Sequence, residues 1–187
     1  MDFLWNADAN ILLFIQEYLR QDWMDQFWKG ITMLGNVGWF WILLSVILLF
    51  SKKTRPIGIT ALLSLALGAL ITNLFLKNVV ARIRPYEVIN GLILLIEKQR
   101  DFSFPSGHTC ASFAAAMVYL KMMPKRYGVP FVILAALIAF SRLYVGVHYP
   151  TDVIGGLIIG MFSAWAAVHF MEYLRKRRTK SFDADSR

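Results

Sequence analysis

Long apolar runs alternating with short polar ones dominate this chain. Five runs approach or reach membrane-spanning length, at residues 31–50, 57–76, 107–123, 128–146 and 153–173. About 20 helical residues rising ~1.5 Å each cross the ~30 Å hydrocarbon layer, so each run predicts a spanning helix. Residues 1–29 follow another pattern. Phe3, Leu4, Ile11, Leu12, Ile15 and Leu19 are interspersed with Asp2, Asp8, Glu17 and Arg20, and Asp22 and Asp25 follow. This predicts an amphipathic helix lying in the interface, with Trp5, Trp23 and Trp28 at headgroup level. The alternative, a sixth span starting near residue 8, would put Glu17 and Arg20 inside the bilayer. Residues 88–96 are apolar but too short to cross, and are expected to dip into the interface beside a substrate entrance. The expected fold class is all-α. It is a polytopic membrane helical bundle with five transmembrane helices plus an N-terminal interfacial helix, forming one domain over residues 1–187 with a basic tail at 174–187.

Composition supports a membrane location. Of 187 residues, 57% are hydrophobic and 17% charged, against about 25% charged in soluble domains. The formal net charge of +8 sits between apolar runs and forms no stripe for nucleic acid. One cysteine, Cys110, excludes an intrachain disulfide. Met1-Asp2 opens an acidic stretch unlike the basic start of a signal peptide. Lys52, Lys53 and Arg55, then Lys121, Lys125 and Arg126, then the tail from Arg175, all fall on one side of the five spans. The positive-inside rule makes that side, with the C-terminus, cytoplasmic and the other extracytoplasmic.

Three polar groups gather on the extracytoplasmic side. Lys77 and Arg84 lie seven apart where the second run ends. They would share a helical face if the helix continued to Pro85. An ammonium and a guanidinium fork suit phosphate oxygens, and both also suit snorkelling at a membrane boundary. Pro105-Ser106-Gly107-His108 opens the third run. First-turn N–H groups attract an anion, Ser106 adds a hydroxyl, Gly107 allows close approach and His108 can deliver a proton. The same residues also fit an ordinary helix start with Ser106 as the cap. Arg142, His148 and Asp152 close the fourth run and open the fifth. A charge at Arg142 needs a partner or a polar cavity. Asp152, four residues beyond His148, can orient the imidazole and leave its other nitrogen to attack. Thr151 or Asp152 would equally cap the last helix. The 40 residues between His108 and His148 cross the membrane and return, bringing both to one face.

In this order, Lys-x6-Arg-Pro, Pro-Ser-Gly-His and Ser-Arg-x5-His-x3-Asp closely resemble the type 2 phosphatidic acid phosphatase family, membrane relatives of vanadium haloperoxidases. The resemblance is strong over residues 77–152 and extends across 31–172. It implies that His148 is the nucleophile that becomes a phosphohistidine, Asp152 its orienting partner, and His108 the general acid and then base. It implies a phosphate clamp of Lys77, Arg84 and Arg142 completed by Ser106 and the Gly107 N–H, with no cofactor and no metal. The implied activity is hydrolysis of a lipid phosphate or pyrophosphate in a bacterial plasma membrane. Undecaprenyl pyrophosphate ranks first, then phosphatidylglycerophosphate or phosphatidate. A phosphotransferase with the same site and a non-enzymatic lipid-binding or transport protein are the alternatives. The lipid substrate and the bilayer are the expected partners.

Other features point to structure. His169 is expected to be structural, Gly156-x3-Gly160 to let helices pack closely, and Tyr86, Tyr144 and Tyr149 to line a headgroup pocket. Arg82, off the motif's defining positions, would contact a headgroup. The basic tail is expected to meet anionic lipid.

Overall fold

The computed structural model describes the backbone of residues 2–185 and the side chains of residues 3–177, and is all-helical with no strand among those residues. In chain order, α1 (Asp2–Phe14) runs into a π-helical turn (Ile15–Leu19). Then come α2 (Asp22–Leu34), a 3-10 turn (Asn36–Gly38), α3 (Trp39–Leu49) and α4 (Arg55–Ala69), extended by a π-helical segment (Leu70–Leu76). The short α5 (Lys77–Val80) and α6 (Pro85–Val88) precede a long irregular loop. α7 (Gly107–Met122), α8 (Lys125–Tyr144) and α9 (Pro150–Asp185) complete the chain.

Three stretches among the described residues are long and apolar enough to cross a membrane: Arg55–Val88, Lys125–Tyr144 and Pro150–Arg177. The pair Asp22–Leu34 and Asn36–Leu49 makes a fourth only if read as one span bent by 45°. The run predicted at 31–50 is therefore interrupted. The break is at Val37 (φ 52°) and Gly38 (φ 69°), in the left-handed region. The run at 107–123 forms a 16-residue helix, about 24 Å at ~1.5 Å per residue.

That short helix, α7, is the hub of the molecule. Ala114, Ala115 and Ala116 are fully buried, and α4, α8 and α9 all pack on it. A Cβ on Gly156 would stand 2.5 Å from the Ser106 carbonyl oxygen, and one on Gly160 would stand 2.6 Å from that of Cys110. The two glycines thus bring α9 into backbone contact with α7, the close approach expected for small-residue spacing. Buried hydroxyls tie the helices where no water would. Trp41 Nε1 donates to Ser112 Oγ at 3.0 Å, Ser64 Oγ to the Ala114 carbonyl at 2.8 Å, and Ser45 pairs with Tyr119 at 2.8 Å. The outer faces carry exposed Leu43, Ile47, Phe50, Ile133, Ile158 and Trp165, an apolar coat suited to lipid and not to water.

The N-terminal region departs from a simple interfacial helix. It is two helical pieces broken at Arg20–Gln21, where Gln21 N–H donates to Tyr144 Oη at 3.1 Å. Trp23 is exposed, but Trp28 is buried against Phe140 and Tyr144, so it belongs to the core and not to a headgroup belt. The apolar stretch 88–96 lies mostly in the irregular loop. Gln16 bonds the Gly91 carbonyl and the Ile93 N–H, and Leu95 N–H donates to the Val145 carbonyl, so the loop is strapped over this end of the bundle.

Candidate active site

Lys77 and Arg84 do not meet by helical periodicity. The helix stops at Val80, Ala81 takes φ 46°, and the chain is irregular to Arg84. A left-handed alanine is unfavourable, and the break redirects the chain so that the Arg84 side chain reaches the loop at Asp101 and the segment at Val147 before α9. The two cations converge on one group that the sequence did not single out, the Asp101 carboxylate. Lys77 Nζ pairs with Asp101 Oδ2, and Arg84 Nη2 donates to Oδ1 at 2.5 Å. Lys77 and Arg84 are buried, while the Asp101 side chain is 52% exposed. Partial burial pushes the Asp101 carboxyl up, but Lys77 and Arg84 outweigh it and hold the group at about 2.

Arg84 also fixes the second histidine's surroundings. Its Nη1 donates to the Val147 carbonyl at 2.8 Å and stands 3.5 Å from His148 Nε2. His148, 1% exposed, holds its Nδ1 3.3 Å from Asp152 Oδ2. A carboxylate beside Nδ1 favours the tautomer with the proton there, leaving the Nε2 lone pair facing Arg84. Burial pulls the imidazole well below the usual histidine value, to about 3. Asp152 opposes the shift, and Arg84 and Arg142 add to it. Asp152 is fully buried and saturated: Oδ2 also accepts from Ser103 Oγ and the Tyr149 N–H, and Oδ1 accepts from Arg82 Nη1 at 2.6 Å.

α7 brings the remaining groups. Ser106 is its N-cap, with Oγ accepting from the Thr109 N–H at 3.4 Å and from Thr109 Oγ1 at 3.0 Å, so the capping expectation holds. Its own hydroxyl proton remains to donate. Pro105 lies before the cap and does not itself begin the helix. A Cβ on Gly107 would stand 3.2 Å from Asn73 Oδ1 and 3.8 Å from Lys77 Nζ, so this backbone borders the clamp. His108 Nε2 lies 2.9 Å from Asn36 Oδ1. The amide oxygen only accepts, so Nε2 carries its proton and Nδ1 is left for proton transfer. Asn36 comes from the kink between α2 and α3, another contributor that no sequence motif marks.

Arg142, 1% exposed near the end of α8, donates Nη1 to Thr32 Oγ1 at 2.6 Å, and its Nε has no partner. Lys77, Arg84, Arg142 and the two histidines stand within electrostatic range of one another. A buried, under-bonded guanidinium beside two further cations makes a site prepared for an anion. A cavity of about 740 Å³ begins at Lys77, Gly107 and His108 and continues past Ile42, Leu62, Leu65 and Ala69 between α3 and α4. No group of three or more His, Cys, Asp or Glu side chains placed to hold a metal ion occurs among the described residues.

Tyr144 and Tyr149 are fully buried and do not line an open headgroup pocket. Tyr149 lies under Arg82, whose guanidinium carbon is 3.7 Å from the ring centre, and Tyr86 Oη bonds the Gln99 backbone. Arg82 faces inward to carboxylates and not to a headgroup. His169 Nδ1 bonds the Trp165 carbonyl at 2.8 Å, far along α9 from the site, in keeping with a structural role.

Known proteins are similar to this chain in sequence and in fold. An archaeal undecaprenyl-diphosphatase from Sulfolobus acidocaldarius is 38% identical over 128 residues, covering 68% of this chain and 62% of that protein. The chain thus spans somewhat under two thirds of that relative's length. A lipid A 4'-phosphatase from Bacteroides thetaiotaomicron is 31% identical over 88% of this chain and 77% of its own. The crystal structure of a transmembrane PAP2-type phosphatidylglycerolphosphate phosphatase from Bacillus subtilis superposes with a TM-score of 0.75 at 28% identity, covering 92% of this chain and 88% of that one. The sequence model of the PAP2 superfamily matches residues 57–176, the stretch that carries both histidines, Asp152 and all three clamp cations, and the chain belongs to that family.

Proposed function

We propose that the protein hydrolyses a lipid phosphate or pyrophosphate through a phosphohistidine on His148. The observation that carries this reading is His148 itself: its Nδ1 is held by Asp152, and its Nε2 faces the guanidinium of Arg84 at 3.5 Å. Nε2 attacks phosphorus and forms the N–P bond as the bond from phosphorus to the leaving oxygen breaks. His108, entering the cycle as the imidazolium with Nε2–H held on Asn36 Oδ1, gives its Nδ1 proton to that oxygen. His108 then takes a proton from water, whose oxygen attacks the phosphohistidine, releasing phosphate and restoring neutral His148. Lys77, Arg84 and Arg142, with the Ser106 hydroxyl and the Gly107 N–H, meet the charge on the equatorial oxygens, which is the larger part of catalysis in such sites. Asp152 stabilises the imidazolium form of the intermediate. The mechanism draws on no metal or cofactor.

The cavity supports a lipid. Its polar end, at Lys77, Gly107 and His108, borders the phosphate clamp, and its apolar end between α3 and α4 suits a chain lying in the bilayer. The proposed topology is five spans, with α1 and the first part of α2 at the surface, the site extracytoplasmic and the C-terminus cytoplasmic. Undecaprenyl pyrophosphate is the favoured substrate, followed by phosphatidylglycerophosphate and phosphatidate; the relatives' names include the first, and the solved neighbour's name the second. The test is phosphate release by purified protein from this panel, with His148→Ala alongside. Turnover of a lipid phosphate by wild type and none by the variant is expected, and equal turnover by both defeats the reading.

A further inference from the structure

The carboxylate that holds the nucleophile is itself held from behind, by a residue of the first helix. Asp8 sits on α1 in a largely apolar stretch and is 2% exposed. Both its oxygens are engaged with residues far along the chain. Oδ1 accepts from the Thr151 N–H at 3.0 Å, and Oδ2 accepts from Thr151 Oγ1 and from Arg82 Nη2 at 2.7 Å. Arg82 faces two ways: its Nη1 donates to Thr151 Oγ1 at 2.7 Å and to Asp152 Oδ1 at 2.6 Å. A continuous relay therefore runs Asp8, Arg82, Asp152, His148.

The arrangement has a chemical consequence. Among the described residues Arg82 is the sole partner of Asp152 Oδ1, so the orientation of that carboxylate depends on where Arg82 is held. Shared between two carboxylates, one guanidinium neutralises neither fully. Asp152 thus keeps negative charge for the imidazolium that forms at His148. The Thr151 N–H is one of the unpaired donors in the first turn of α9, and Asp8 satisfies it from another helix, as a cap would. Negative charge there also complements the positive end of α9.

We infer that Asp8 is a positioning residue. Through Arg82 and Thr151 it fixes Asp152 so that His148 Nε2 points at phosphorus, and the first helix thereby becomes part of the catalytic apparatus. This rests on the phosphohistidine reading.

The test is Asp8→Asn, which keeps side-chain size and removes the charge, in full-length protein in detergent. Partners behind a liganding or catalytic group typically matter by about 10–100-fold. We expect kcat to fall by that order, KM to stay within about 2-fold, and the melting temperature to move little. Asp8→Glu is expected to recover part of kcat. Arg82→Lys keeps charge but loses the fork that spans two carboxylates. It is expected to match Asp8→Asn, and the double variant to be no worse than either alone. Wild-type kcat in Asp8→Asn overturns the inference, as does a loss that only follows the folded fraction. Should Asp8→Asn yield no folded protein, Arg82→Lys decides: a fall in kcat at constant KM supports the relay, and wild-type kcat overturns it. His148→Ala separates the two levels. Activity in that variant defeats the nucleophile, whereas an inactive His148→Ala beside a fully active Asp8→Asn defeats the relay alone.

Discussion

At the scale of single residues, two of the candidate clamp cations are held by one of the protein's own carboxylates. Asp101 occupies Lys77 and Arg84 as a phosphate would, so an incoming substrate must displace it. A half-exposed ion pair is worth up to about 1 kcal/mol, or roughly 5-fold in an equilibrium constant. Asp101→Asn is therefore expected to tighten inhibition by inorganic phosphate by about that factor, read from inhibition constants at fixed ionic strength. Acid should destabilise the fold through the same residues. The folded values of His148 and Asp101 lie below their unfolded values of 6.5 and 3.8. Their contributions are complete above those pH values and are lost as pH falls toward about 3 and about 2. Thermal melts should show declining stability from near pH 6 downward, and a melting temperature that rises on acidification would contradict this. His108, His148, Asp152, Lys77, Arg84 and Arg142 were legible because each is a polar group in a motif at the edge of an apolar run. Asp8, Thr32, Asn36, Arg82, Asp101 and Ser103 were not, because their importance comes from partners between 17 and 143 positions away, which no local pattern records. From the pattern alone Arg82 reads as a headgroup contact, and Asp8 as one polar position of an interfacial helix.

At the scale of elements, spacing was a good guide to where helices lie and a poor one to where they break. The apolar runs became α4, α7, α8 and α9, since burial of an apolar face and of every backbone polar group demands helices there. The breaks at Asn36–Gly38 and at Ala81 were missed. Both use left-handed backbone, and Val37 and Ala81 are residues that do not advertise it. These breaks make the site: the first presents Asn36 to His108, and the second turns Arg84 back toward Lys77. The Gly156-x3-Gly160 reading succeeded because spacing of small residues on one helical face is local information. Gly156→Ala would drive a methyl to 2.5 Å from the Ser106 carbonyl. Neither backbone can yield easily, so a loss on the order of 1–3 kcal/mol is expected. Activity should fall further than stability because Ser106 caps α7, the helix that carries His108. Unchanged melting temperature and turnover would show that α7 and α9 can separate freely.

At the scale of the whole molecule, α7 and α8 run out and back as neighbouring helices, delivering His108 and His148 to one end of the bundle, with α1 closing that end through Asp8. The basic loops at 51–56 and 121–127 lie at the other, and the proposed topology makes that end cytoplasmic. Cys110 is 2% exposed and out of reach of a thiol reagent, so orientation is best read from Glu87→Cys. Labelling of intact cells by an impermeant reagent is expected; labelling only after lysis would reverse the topology. Composition and charge revealed the class of molecule, yet not the inward docking of its first helix, because an amphipathic pattern fits a membrane surface and a protein surface equally well. The central claim is that the phosphoryl group passes through His148, and the most direct measurement is rapid quenching of turnover followed by mass spectrometry of the protein. Wild type should carry a phosphoryl group on His148 that is lost in acid and survives base. His108→Ala should accumulate it on a pyrophosphate substrate, whose leaving group departs without strong proton donation. A phosphorylated residue elsewhere, or turnover by His148→Ala, would contradict the account.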